Sequence, residues 1–352
     1  MSIVLLFIIL LILNNAKFVK ETPLNEDYLT KEQTTTVNGV FVLLVFMSHA
    51  NQYMAVSGDL HSIYLFVSGF LTQAIVVTFL FYSGYGIMES IKRKGQPYVN
   101  TIFTKMIKLL IQFDIAILLF LLTNWFIGNR PTIKEVLLAM TSWTSIGNSN
   151  WYITAILLLY LFTFISFKFF KNHWFALISL TVLTMAYVFL MLKLGRPGYT
   201  YNTMICFSFG VFYSQVHLIV EKYLKNNLLF LLSLLITLVT ALYTRQTMYH
   251  DIKMYSLWMI CFMIFILFFT MKTKLNSPFL YYMGTKVFSV YILQRIPMMI
   301  LKHYGFQTHT FTFFTISFVI TLILAIIFDK YINSFIDYLL DFIMKKFKLV
   351  KI

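Results

Sequence analysis

Residues 37–50 read VNGVFVLLVFMSHA, a run of apolar and small side chains that ends on a single histidine, His49. A stretch this apolar reads as part of a membrane-crossing helix. A titratable imidazole inside one is costly unless it meets a polar cavity, a partner or a reaction. Outward from it, apolar spans follow at roughly 37–55, 62–88, 105–127, 151–168, 174–192, 202–220, 227–244, 254–271, 280–301 and 310–329. Each is about 20 residues long, enough to cross the hydrocarbon core as a helix. The expected fold is an all-α, polytopic transmembrane helical bundle of about ten core helices. One extra N-terminal helix comes from SIVLLFIILLIL at residues 2–13. No basic residue precedes that run and no small-x-small cleavage site follows it, so it reads as an uncleaved helix rather than a signal peptide.

Composition agrees. Of 352 residues, 59% are hydrophobic and only 12% charged, against roughly 25% charged in soluble domains. The net charge of +15 would suggest nucleic-acid binding in a soluble protein. Here the lysines sit at span ends, so loop charge is the reading and no nucleic-acid partner is expected. Cys206 and Cys261 fall inside apolar spans, and neither a disulfide framework nor a metal-ligand spacing is visible. The chain divides into an N-terminal apolar helix and polar segment (1–36), a transmembrane domain (37–330) and a basic amphipathic tail (331–352) ending in KKFKLVKI. Residues 17–36 read as a surface segment, and 132–143 as a helix lying in the interface. No internal repeat and no inverted pair of broken helices is seen, which weakens a secondary-transporter reading.

Twenty of the 28 Lys and Arg fall on one side of this arrangement, including Lys92, Arg93, Lys94, Lys105 and Lys108; seven fall on the other, and Arg295 lies within a span. The positive-inside rule then puts the C-terminus and the 89–108 loop in the cytoplasm of a multi-pass cell-membrane protein. His49 lies roughly 18 Å from the cytoplasmic end of its helix.

Five polar features stand where lipid would reject them: His49, Asp114, Arg295, the Ser83–Gly84–Tyr85–Gly86 cluster, and Asn148–Asn150–Trp151. Asp114 and Arg295 make either a bundle-locking ion pair or functional groups. Ser83, Gly84 and Gly86 suit close helix packing as well as catalysis. His49 is the functional candidate, because an unpaired imidazole serves packing poorly. Lys105 and Lys108, three apart on one helix face, suit a phosphate-bearing ligand as well as ordinary anchoring. There is no GxxxxGK[ST] and no GxGxxG loop, so nucleoside triphosphate hydrolysis and dinucleotide redox chemistry are unsupported.

Taken in order, these motifs resemble the membrane acyltransferase 3 family of bacterial O-acyltransferases. In that family the first core helix carries an arginine, ten residues, then a histidine; here NGVFVLLVFMSH has Asn38 in the arginine's place. FLFYSGYGI (79–87), KMIKLL (105–110), NSNWYITAILLLY (148–160) and GTKVFSVYILQ (284–294) match the later elements, with lysines for arginines in the third helix. The resemblance spans nearly the whole chain. It implies transfer of an acyl group, usually acetyl, from cytoplasmic acyl-CoA to a hydroxyl of an extracytoplasmic, cell-surface or lipid-linked glycan, with no metal. His49 is then the catalytic base or acyl relay. Lys105 and Lys108 hold the CoA phosphates, with Asn38 and Arg295 as further donor-binding positions. Ser83, Tyr85, Asp114, Asn150, Trp151 and Tyr291 line the path of acceptor or pantetheine. Asn38 cannot supply the family arginine's charge, and lysine lacks the bidentate fork toward phosphate; Arg295 is the candidate to compensate.

Two other classes compete: an exporter on the same scaffold, and an assembly subunit of a polysaccharide-synthesis complex in which His49 is merely buried. Convergence of His49, Lys108 and Tyr85 on one cavity open to both faces favours acyl transfer. Dispersal favours the structural reading.

Overall fold

The computed structural model describes residues 1–19, 23–56, 58, 61–249 and 251–346, with 341–346 as backbone only. The basic end of the expected tail, residues 347–352, lies outside the described residues. The helices are α1 (Ser2–Asn15), α2 (Lys31–Asn51), α3 (Ser62–Leu71), α4 (Val77–Lys94), α5 (Gln96–Phe126), α6 (Ile133–Met140), α7 (Trp151–Phe169) and α8 (His173–Lys193). They continue as α9 (Ile205–Leu224), α10 (Asn227–Thr247), α11 (Ile252–Lys272), α12 (Pro278–Thr285), α13 (Val287–Leu293), α14 (Arg295–His303), α15 (Thr310–Ile327) and α16 (Asn333–Lys346). Two three-residue strands, β1 (Ala16–Phe18) and β2 (Thr273–Leu275), pair antiparallel.

Local chemistry sets the ends. The sequence KRKGQP closes α4 with three cations in its last turn, Gly95 at φ +65°, and Pro97 in the first turn of α5. Cations suit a helix C-terminus, glycine takes the left-handed turn freely, and proline needs no partner at a helix start. Asn172, Asn226, Asp251 and Ser277 each cap a helix with a side-chain oxygen. Short α6 is closed by a capping box between Thr132 and Glu135.

Eight helical stretches are long and apolar enough to cross a membrane, among them Gln96–Phe126, Trp151–Phe169 and Ile252–Lys272. The chain is an all-α polytopic membrane bundle. Two crossings expected from the sequence, α2 and α12–α14, are absent from that group. Helix α2 opens on the polar sequence KEQTTT. The other, expected as one helix over 280–301, is three short helices broken at Lys286 and Gln294. Pro297 has no N–H to give the carbonyl four residues back, at Leu293, which accounts for the second break. The expected single helix over 62–88 is broken as well. A 3₁₀ segment over Thr72–Val76 separates α3 from α4, with Thr72 at φ +47°.

Two crossings bring backbones into direct contact. A β-carbon on Gly39 of α2 would lie 1.8 Å from the carbonyl oxygen of Leu280, and one on Gly284 of α12 would lie 1.8 Å from that of Thr35. Gly84 of α4 and Gly210 of α9 meet in the same way, at 2.2 Å from the Phe207 oxygen and 2.1 Å from the Phe81 oxygen. Small residues permit this close approach where there is no hydrophobic drive between helices. It seats α2 rigidly against the broken crossing.

The segment expected as surface is knitted into one end of the bundle. Asn25 donates to the carbonyls of Thr270 at 3.0 Å and Thr273 at 3.1 Å, and Gln33 bonds both the N–H and the C=O of Leu275 at 3.0 Å. Tyr28 bonds the Tyr213 hydroxyl and a Glu221 oxygen, each at 2.8 Å. This end also carries Lys92 and Lys272 and is the basic face below. Asn25 and Gln33 are buried because they satisfy backbone groups at the end of α11 and in β2, which composition alone does not reveal.

Candidate active site

His49 occupies the last turn of α2, away from the basic face, and is 8% exposed. Ser149 lies opposite it in the loop before α7, and its Oγ is 3.2 Å from His49 Nδ1. That loop is tightly fixed. Asn124 donates to the Ile146 carbonyl at 2.6 Å, Asn148 Oδ1 accepts from the Ile146 N–H at 2.9 Å, and Ser145 donates to the Asn148 carbonyl at 2.6 Å. Asn150 and Thr154 both donate to the Ser142 carbonyl, at 2.9 and 2.8 Å. Gly147 takes φ +112°, a conformation that L side chains rarely adopt. Ser149 is thus held on a frame of backbone bonds and is 4% exposed.

Arg295 opens α14 and approaches the same ring nitrogen, its Nε 3.5 Å from His49 Nδ1. It also donates to Gln52 Oε1, and its guanidinium stands 5.8 Å from the Tyr53 ring centroid. Arginine has donors and no acceptor, so Nδ1 faces it with a lone pair and the ring proton belongs on Nε2. The Ser149 hydroxyl therefore donates to Nδ1. In that tautomer Nδ1 accepts from both the serine hydroxyl and the guanidinium.

Two cavities meet at this point. One, about 560 Å³, is lined by His49, Gln52, Gln73, Ser149, Trp151 and Arg295 among others. The second, about 590 Å³, lies toward the basic face, lined by Ser83, Gln112, Tyr160, Ser289, Asp329 and Asn333 among others. Val45, Val76 and Tyr291 line both. The Tyr291 ring lies 5.9 Å from that of His49 and 5.4 Å from that of Tyr152. In the lining of the second cavity, Asp329 accepts from Lys286 at 2.7 Å, from Asn333 at 3.2 Å and from Ser289. Gln112 donates to Asn333 at 2.6 Å.

A family model described as an acyltransferase domain matches residues 37–330. The chain belongs to the membrane acyltransferase 3 family. No curated protein and no solved structure matches it.

The acyltransferase gathers part of the set marked in its sequence. His49, Asn150, Trp151, Tyr291 and Arg295 share the first cavity, and Ser83, bonded to the Tyr160 hydroxyl at 3.1 Å, lines the second. Asp114 and Arg295 form no pair: Arg295 turns to His49 and Gln52, and one Asp114 oxygen is buried without a partner among the described residues. Arg295 therefore stands beside the histidine, not at the basic mouth where donor phosphates were expected. Asn38 lies three turns before His49 on the same side of α2, its buried Oδ1 without a partner among the described residues. Tyr85 lies in another cluster, its ring 5.9 Å from that of His217 and stacked on Phe81. Lys108 lines neither cavity and pairs with Asp337 of α16, while Lys105 stands 4.0 Å over the Tyr98 ring. Of the three residues whose convergence was in question, only His49 lines these cavities; this dispersal counts toward a merely buried histidine, and it is the family match, not the convergence, that supports acyl transfer.

The residues missed are Ser149, Gln52, Lys286, Asp329 and Gln112. Ser149 stood inside the quoted NSNW motif and Lys286 inside GTKVFSVY. The signal was present, but a hydroxyl in a loop or a lysine at a helix end carries no mark of its own.

Proposed function

We propose that this acyltransferase moves an acyl group, acetyl by preference, from acyl-CoA on the basic, cytoplasmic face to a hydroxyl of an envelope glycan on the opposite face of the cell membrane. The observation that carries the reading is the place of His49: it lines one of two cavities that meet at Tyr291. A thioester entering from the basic face reaches the histidine's neighbourhood without the whole donor crossing.

In this reading the pantetheine arm lies in the basic-face cavity, past Ser83 and Tyr160. The lysines at that end, Lys105, Lys108 and Lys286, suit phosphate as compact point charges. Two of them hold carboxylates, Asp337 and Asp329, so phosphates bind by exchange with those partners. His49 is placed as the base that removes a hydroxyl proton. Arg295 offers positive charge where the carbonyl oxygen becomes anionic.

An exporter needs a wide polar tunnel, and the residues that the two cavities share, Val45, Val76 and Tyr291, are mostly apolar; they suit an acyl group better than a polysaccharide. The test is the O-acetyl content of envelope glycans in cells expressing wild type or His49→Ala at equal membrane levels. Loss of acetylation supports the reading. Unchanged acetylation, with the variant folded, refutes it.

A further inference from the structure

We propose that Ser149 is a catalytic nucleophile of this acyltransferase, activated by Nδ1 of His49, so that transfer runs through an acyl ester on the enzyme. The proposal rests on the acyltransferase reading above and specifies its chemistry.

Three observations carry it. The first is the nucleophile–base geometry, Ser149 Oγ to His49 Nδ1 at 3.2 Å, which is the signature of an activated hydroxyl. The second is the tautomer. With Arg295 donating toward Nδ1, that nitrogen carries the ring's lone pair, which the nearer Ser149 hydroxyl shares with the more distant guanidinium, and Nε2 carries a proton and cannot act as a base. The hydroxyl already at the basic nitrogen is that of Ser149, so any direct attack by a glycan hydroxyl must first displace it. The third is what lies beside the serine. Helix α7 starts two residues later, and its N-cap, Asn150, makes no capping bond because its side chain is committed to Ser142. Uncapped first-turn N–H groups and the Arg295 guanidinium are donors for an oxyanion.

The chemistry balances without a further reactant. Ser149 gives its proton to Nδ1 as Oγ attacks the thioester carbonyl; the C–S bond breaks, and CoA leaves as a thiol with the proton His49 took. The acceptor hydroxyl then gives its proton to Nδ1 as its oxygen attacks the serine ester. The C–Oγ bond breaks and Oγ recovers the proton. Donor and acceptor need never be bound together, which suits a site reached through two cavities from different sides.

The experiment is isotope exchange with the full-length protein in lipid nanodiscs, given acetyl-CoA and radiolabelled CoA and no glycan. An ester intermediate lets label pass into acetyl-CoA, whereas direct transfer does not. Wild type is expected to exchange. Ser149→Ala is expected to slow exchange on the order of a thousandfold with unchanged thermal unfolding. Ser149→Cys, which keeps a nucleophile at the same atom, is expected to retain exchange and to carry an acetyl adduct by intact mass. Undiminished exchange in Ser149→Ala overturns the proposal. So does a wild type that acetylates envelope glycan in membranes but shows no exchange, and in that case the acyltransferase reading survives. A wild type with neither exchange nor glycan acetylation removes both.

Discussion

Arg295 Nε points at His49 Nδ1 from 3.5 Å, across 246 positions of sequence. The contact orients the imidazole, and in the proposed reading it puts the arginine beside the reacting groups rather than beside the donor's phosphates. Arg295→Lys keeps a charge but loses the planar fork that reaches Gln52 and His49 together. We expect kcat to fall about tenfold to a hundredfold with the KM for acyl-CoA unchanged. A large rise in that KM with kcat intact would place Arg295 with the phosphates instead.

At the basic face, Asp337 of α16 occupies Lys108. Removing that carboxylate frees a cation for the donor. Asp337→Asn should lower the KM for acyl-CoA by about threefold, equivalent to roughly 0.6 kcal/mol for a half-exposed ion pair, and leave kcat alone. Steady-state kinetics at low ionic strength make the check, since salt screens the pair. An unchanged or raised KM would count against a role for Lys108 in donor binding.

The α2–α12 crossing predicts a sharp contrast between glycines. Gly39→Ala puts a methyl into the Leu280 carbonyl, forcing the two helices apart; overpacking of this kind costs about 1–3 kcal/mol. Gly86 has nothing within 4 Å of its β-carbon position, so Gly86→Ala should be neutral or slightly stabilising. Thermal unfolding in detergent distinguishes them. Equal behaviour of the two variants would contradict the close crossing.

The cap of α6 gives a pH dependence. Hydrogen bonds from the Thr132 backbone and hydroxyl hold the Glu135 carboxyl below its ordinary value of 4.5. A carboxyl depressed on folding contributes stability above its unfolded pKa, and that contribution is lost as pH falls through the folded value. Amide protection of α6 should therefore hold at neutral pH and drop in acid below the ordinary carboxylate range. Glu135→Gln should remove the transition. Protection that ignores pH in the wild type would refute the capping role.

How much of this could be read from the sequence differs by residue. His49 was legible because a titratable group inside VFMSHA violates its surroundings, and the crossings were legible because apolar length is a direct demand of the bilayer. Ser149 was not, since its meaning comes from a loop frame set by Asn124, Asn148 and Gly147. Tyr85 shares its short motif with Ser83, yet the two side chains leave α4 in different directions, 200° apart around the helix at 100° per residue; one lines a cavity and the other packs on His217. The crossings at α2 and α12–α14 explain the hardest part. They carry His49, Tyr291 and Arg295, and they are the polar or interrupted ones, so the hydropathy signal falls short at the helices that hold the candidate site.

The wall that Val45, Val76 and Tyr291 place between the two cavities has a bearing on the energetics of the cell. Water columns entering from opposite faces would, if joined, let protons run down their gradient at every idle enzyme. An apolar constriction resists wetting and so blocks ions. If the proposed transfer from one face to the other holds, such a constriction would let the histidine site serve reactants from two compartments without an open path for ions.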